Sequence, residues 1–318
     1  MARGRQARML AMSALMTGIC SIALAQGSPV PQSSRCPLTS FTAPELFHPK
    51  DPRAFGAKCD GVTDDSAAFQ KAMNAGDVKV SSGVCVINKT VNVRVSQRRL
   101  ECGPGVVLKR TVSDGGSMFL YEAGNGALLG NSIVNCSFVG ANSPRPVIDF
   151  QAPGHWDIPV LTRDNVSNFL FAGNTVKQFY GQSFFQTTGS NGGSGDRIIF
   201  NTFKNCPLYG PAFVGHMNGY IGYNRLVGCT AGVENDHATD NTGGNILECN
   251  KVTASDGVRG DITGGVQGKR TNYSGNIVRY NVITGDHTGI MKKHEEGGRD
   301  AQYIDNACVD GCRVKGSP

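Results

Sequence analysis

Phe171-Ala-Gly-Asn174-Thr-Val176, Ile198-Ile-Phe-Asn201-Thr-Phe203, Ile221-Gly-Tyr-Asn224-Arg-Leu226, Leu247-Glu-Cys-Asn250-Lys-Val252, Val278-Arg-Tyr-Asn281-Val-Ile283 and Tyr303-Ile-Asp-Asn306-Ala-Cys308 are one short phrase written six times. A fainter copy lies at Cys136-Ser-Phe138. The Asn-to-Asn steps are 27, 23, 26, 31 and 25 residues, a near-period that signals a solenoid. The residues three and one before each Asn alternate with spacers, as in a strand with one buried face. The phase resumes two residues after the Asn, so a second short strand begins there. Asn itself suits a left-handed corner and has an amide for local hydrogen bonds. The phrase therefore predicts an all-β fold, a single-stranded right-handed parallel β-helix. Its Asn residues would form a ladder, and Phe200, Tyr223 and Tyr280 a buried stack, at about 4.8 Å per coil. An all-helical solenoid does not fit the 42 glycines, nor the lack of a 3.6-residue apolar period.

Around this repeat the bulk properties are permissive. A chain of 318 residues with one repeat reads as one large domain. The formal net charge of +6 includes Arg3, Arg5 and Arg8, so the body is only mildly basic. That balance does not indicate a nucleic-acid partner; it suits a polyanionic ligand such as an acidic glycan. Residues 1–25 read as a signal peptide, with a basic start, an apolar run and Ala23-Leu24-Ala25 before the cut. After cleavage no membrane segment is expected. Ten of the 11 cysteines lie beyond residue 25, in an exported context that permits disulfides. Cys206 and Cys229 each follow their Asn by five residues, a spacing open to either a disulfide or stacked thiols. The expected location is secreted or periplasmic.

Residues 26–49 are a Ser- and Pro-containing lead-in expected to be loosely held. The domain proper spans 50–318, with an N-terminal cap at 50–76. There Asp51-Pro-Arg-Ala-Phe-Gly-Ala-Lys-Cys-Asp60-Gly61-Val-Thr-Asp64-Asp65 precedes a short amphipathic helix carrying Ala68, Phe69, Ala72 and Met73, which Gly76 closes. Such a helix would cover the open end of a solenoid. This cap motif resembles that of the pectate-lyase-like superfamily, in its rhamnogalacturonase/epimerase-like branch. The resemblance covers the cap and first coils, and the Asn-cornered repeats extend it to the end. It implies a parallel β-helix, a structural role for Asp60, Asp64 and Asp65, and a substrate groove on the face of the third strand of each coil.

We align that third strand as Phe213-Val-Gly-His216, Val233-Glu-Asn-Asp236, Val258-Arg-Gly-Asp261 and Ile290-Met-Lys-Lys293. With the first residue inward, alternation turns His216, Asp236, Asp261 and Lys293 outward, along with Glu234 and Arg259. Following loops add His237, Lys269 and Arg270, and the only tryptophan, Trp156, lies in an earlier loop. The candidate catalytic residues are Asp236, His237, Asp261 and Lys293. The candidate substrate-binding residues are His216, Glu234, Arg259, Lys269, Arg270 and Trp156. Three functions fit. Uronate lyase or epimerase-type chemistry would use Arg259, Lys269 and Arg270 to neutralise the substrate carboxylate and His237 or Lys293 as base. Hydrolysis would use Asp236 and Asp261 as a split acid–base pair. A binding or adhesive solenoid would need no reaction. The motifs of the polygalacturonase branch are absent apart from Gly215-His216, so the lean is towards lyase or epimerase chemistry on an acidic polysaccharide. No Cys/His metal spacing appears and no cofactor is required; calcium bridging of a uronate is the one metal role that fits.

Overall fold

A computed structural model describes residues 32–124, 126–141, 157–181, 183–188, 193–207, 209–229, 232–236, 243–253, 261–263, 275–284, 288–291, 302–309 and 313–315. The expected signal peptide lies outside them. Among the described residues no helix is long and apolar enough to cross a membrane.

Three parallel sheets hold most of the strands, and neighbours within a sheet are up to four strands apart in the chain. Each coil contributes one strand to each sheet. The first sheet includes Leu170–Ala172, Arg197–Ile199, Tyr220–Gly222, Ile246–Glu248 and Ile277–Arg279. The second includes Thr175–Lys177, Thr202–Lys204, Arg225–Val227, Lys251–Thr253 and Val282–Thr284. The third includes Ser183–Thr188, Tyr209–Val214, Gly232–Asp236, Asp261–Thr263 and Thr288–Met291. Strands of three residues leave one inward position, and the repeat fills it with large apolar side chains. Phe171, Ile198, Ile221 and Leu247 line up on the first sheet, and Val176, Phe203, Leu226 and Val252 on the second, all buried. Burying each such side chain contributes about 1.5–3 kcal/mol.

The corner between the first and second sheets is the expected Asn ladder. Asn174 Nδ2 donates to Asn201 Oδ1, Asn201 to Asn224, Asn224 to Asn250 and Asn250 to Asn281, each at 3.0 Å, and Asn281 donates to Asn306 at 2.9 Å. Each amide also donates to a carbonyl one coil back, as Asn224 does to Ile198 at 2.7 Å. The left-handed conformation falls one residue earlier than expected, on Phe200, Tyr223, Cys249, Tyr280 and Asp305. That placement follows from geometry: the preceding residue makes the turn, and the Asn keeps its amide inward between coils. The expected buried stack is corrected with it. Phe200 and Tyr223 do stack, at 4.9 Å and 15°, but on the outside of the corner and only half-buried, as is Tyr280.

What covers them is the described part of the lead-in, from Gln32 onwards, which is strapped down along the coils and not loosely held. Arg35 pairs with Asp305 at 2.9 Å, and Cys36 is disulfide-bonded to Cys249. Phe41 and Ala43 pack on Val134, Ala172 and Ile199, which face outward from the first sheet yet are buried. The Arg99 guanidinium donates to the Pro44 carbonyl at 2.6 Å, and Lys50 bridges Val78 in the first coil. The apolar outer positions 134, 172 and 199 are the sequence signal for a cover.

The cap matches its expected part. The helix Ser66–Ala75 buries Ala68, Phe69, Ala72 and Met73. Asp65 accepts from the Lys58 and Cys59 amides, Asp60 from Val62 and Thr63, and Asp64 from Ser66, all local supports. Three further disulfides join Cys59 to Cys85, Cys102 to Cys136 and Cys206 to Cys229, the last between adjacent coils.

Candidate functional site

The third sheet departs from the sequence alignment in its register. Ala212 pairs with Glu234, Phe213 with Asn235 and Val214 with Asp236, while Gly232 pairs with Asp261 and Val233 with Ile262. Thr263 pairs with Met291. Asp261 thus sits opposite Gly232, four positions from Asp236 along the strand, or about 13 Å. The two aspartates do not share a rung, and Val258 is not the partner of Val233. The reason is parity: Val233 and Asn235, or Val258 and Ile262, differ by an even number of residues. An even slip leaves the same residues facing inward, so the apolar pattern cannot choose between registers. A bulge between Tyr209 and Ala212 adds to the slip. Glu234 stands on the strand as expected and is only 7% exposed. Trp156, His237, Arg259, Lys269, Arg270 and Lys293 lie outside the described residues.

His216 is the clearest correction: it is buried, not outward. The strand Tyr209–Val214 ends before it, and Gly215 at φ 68° turns the chain inward. A second interior column explains the destination. Just before the first-sheet strands stand Phe169, Asp196, Gly219, Asn245 and Asn276. Phe169 N donates to Asp196 Oδ1 at 2.8 Å, Gly219 N to Asn245 Oδ1 at 2.7 Å and Asn245 N to Asn276 Oδ1 at 2.9 Å. Asp196 N faces the coil of Gly219, which has no side chain, and there His216 Nε2 accepts instead, at 3.2 Å. A Cβ on residue 219 would lie 2.6 Å from His216 Cδ2 and 2.4 Å from the Phe213 ring, so the glycine makes room for the histidine. Accepting this bond requires an unprotonated Nε2. Burial accordingly pushes the His216 pKa down to about 3 and holds that of Asp196 well above the usual carboxylate range. Closed inside the coil, His216 touches no groove and is removed from the candidate set.

A second buried ionic group lies near the Asp157 end of the loop before Val160–Arg163. The Arg110 guanidinium is enclosed between Asp157 at 3.0 Å and Asp114 at 2.5 Å. Burial pushes the Asp157 pKa up to about 6 against the pull of Arg110. Its enclosure makes it a structural anchor. The cluster of Cys59, Asp65 and Cys85 has metal-like spacing, but its two cysteines are bonded to each other.

The outer face of the second sheet carries a pattern that the sequence reading missed. Thr175, Thr202, Arg225 and Lys251 follow one another coil by coil in one column, and Lys177 pairs with Lys204 in the next. Lys109 enters the same column through Val139. From Val107–Lys109 to Val282–Thr284 the outward positions hold these five cations and otherwise only Val, Ser and Thr. Among the described residues none of the five forms an ion pair with a carboxylate. The signal was legible in the repeat itself, at one and three residues after the ladder Asn.

No family model matches the chain, and no curated protein matches its sequence. Solved structures with similar winding include the tailspike protein of Acinetobacter baumannii phage AM24, with TM-score 0.48, 15% identity, and 85% of this chain and 46% of that one covered. Geobacillus virus E2 ORF18 gives a TM-score of 0.43 at 16% identity, covering 82% of this chain and 61% of that one. A hyperthermoactive exopolygalacturonase from Thermotoga maritima gives 0.41 at 11% identity, covering 87% and 94%. The chain spans less than two thirds of the two viral proteins. All three scores are below 0.5, so the functional reading rests on this chain's own residues.

Proposed function

We propose that this chain is an exported right-handed parallel β-helix that engages a linear acidic polysaccharide along its coils. The observation that carries the reading is the outer face of the second sheet, with five cations and no carboxylate. Like charges on adjacent strands destabilise a sheet. A repeating polyanion laid across the coils would offset that cost at the charged rungs. Right-handed winding follows from the parallel crossovers, and four disulfides suit an oxidising compartment outside the cytosol.

Chemistry is proposed for the third-sheet face, as uronate elimination or epimerisation. Such a reaction begins by neutralising the substrate carboxylate, the role given to Arg259, Lys269 and Arg270. His237 or Lys293 would take the proton, Asp236 and Asp261 would flank the site, and Trp156 would contact the sugar. Asp236 and Asp261 stand too far apart to share an ion, so calcium in this proposal would be held by a uronate and one of these carboxylates alone. Hydrolysis is the second reading, favoured by Glu234 and Asp236 at alternate positions of one strand. Strand alternation puts both positions on one face of the sheet, as a split acid–base pair of carboxylates requires. A panel of acidic and neutral polysaccharides, with and without a calcium chelator, tests these readings. Unsaturated products seen by absorbance mean elimination, reducing ends alone mean hydrolysis, and an altered uronate signal in NMR means epimerisation. Binding of acidic polymers without turnover leaves a binding protein. Preference for neutral polymers would overturn the proposal.

A further inference from the structure

The strap and the cation column meet at one place. A cavity of about 440 Å³ opens between the strap and the corner of the first and second sheets, lined by Cys36, Leu38, Phe200, Tyr223, Arg225 and Lys251. Its volume falls in the range of small-molecule sites. Three features give it chemical character. The stacked rings of Phe200 and Tyr223 supply an aromatic surface against which the C–H face of a pyranose can pack, since those hydrogens carry partial positive charge and the ring faces are negative. Arg225 and Lys251 are paired neighbours on adjacent strands, and both are exposed. The nearby carboxylate of Glu248 is already engaged by the Tyr220 hydroxyl at 2.6 Å and by Arg279, so it does not neutralise them. The third feature is the wall. The Cys36–Cys249 disulfide anchors the strap beside the cavity, with Leu38 of the strap lining it opposite the aromatic surface of Tyr223.

We infer that this cavity binds one anionic sugar unit, a hexuronate or a sulfated hexose, with its ring against Phe200 and Tyr223 and its charge between Arg225 and Lys251. It lies on a different face from the third sheet. The inference rests on the acidic-polysaccharide reading and gives that polymer a fixed point beside the strap, at one end of the paired cation rungs.

The test is calorimetric titration of the full chain with digalacturonate, a monosulfated disaccharide and cellobiose. Saturable binding of one or both anionic disaccharides, and not of cellobiose, is expected, and the arm that binds identifies carboxylate or sulfate as the recognised group. Arg225→Ala/Lys251→Ala should weaken that binding about tenfold or more. Both side chains are exposed, so the variant is expected to fold as the parent does. Phe200→Leu should weaken it as well while leaving an apolar corner. Equal binding of cellobiose, no saturable binding, or binding unchanged in the double variant would overturn the inference. A polygalacturonate polymer separates its failure from that of the parent reading. If the polymer binds and only Lys177→Ala/Lys204→Ala weakens it, the cavity is wrong and the cation face stands. If neither polymer nor disaccharide binds, both fall.

Discussion

The second and third sheets are wound from the same coils, yet they behave differently. Second-sheet strands from Val84–Val86 onwards are three residues long and pair without a register shift. Third-sheet strands run from three to six residues, with shifts at Tyr209/Ala212 and Thr288/Met291. The cause is what precedes each strand. From Thr175–Lys177 onwards a second-sheet strand starts directly after a ladder Asn, whose amide is bonded to the coils on both sides. A third-sheet strand follows a connection of varying length with no such pin among the described residues. Regularity therefore belongs to the corner, and variation to the face that the corner does not control.

Breaking the corner should have the largest effect. Asn224→Leu removes the acceptor for the Asn201 amide and side chain and the donor to Ile198 O, leaving buried polar groups unpaired. A loss of roughly 3–5 kcal/mol in denaturant-induced unfolding is expected. A change below about 1 kcal/mol would mean that the ladder is not what holds the coils in register.

The broken interior column offers a sharper and smaller test. The His216 pKa is depressed in the folded state, to about 3, so its neutral form stabilises the fold above the unfolded value near 6.5. That contribution is lost as pH falls from there towards the folded value, because the unfolded chain binds the proton first. Asp196, with its pKa raised, drifts the opposite way, losing stability as pH rises above its unfolded value. His216→Gln keeps an acceptor for the Asp196 amide and cannot titrate, while the Asp196 drift is common to both proteins. Between neutral pH and about pH 4.5 the parent should lose on the order of 2 kcal/mol more than the variant. Parallel stability curves would contradict the buried, neutral histidine.

This contrast also explains what the sequence could tell. The coil, the Asn ladder, the cap helix and the inward apolar positions were legible because each recurs at a fixed offset from Asn. The left-handed residue was misplaced by one, since Asn is the familiar occupant of that conformation, while here its amide is needed inward. His216 was misassigned because alternation was carried past the end of its strand at Val214. The register of Asp236 and Asp261 was unreadable for a different reason: an even slip leaves the apolar pattern unchanged. The cations of the second sheet recur one or three residues after Asn174, Asn201, Asn224 and Asn250, so they were legible in the repeat, outside the third strand where a groove was expected.

The central claim is that the second-sheet cations hold an acidic polymer, and the salt dependence of binding tests it most directly. Polygalacturonate affinity of the parent protein should fall linearly in logarithmic terms as salt rises, because each neutralised charge releases counterions. In Lys177→Ala/Lys204→Ala the slope should be shallower by about 1–2, with the melting temperature nearly unmoved, as for surface substitutions generally. Salt-independent binding, or an unchanged slope in the double variant, would contradict the account.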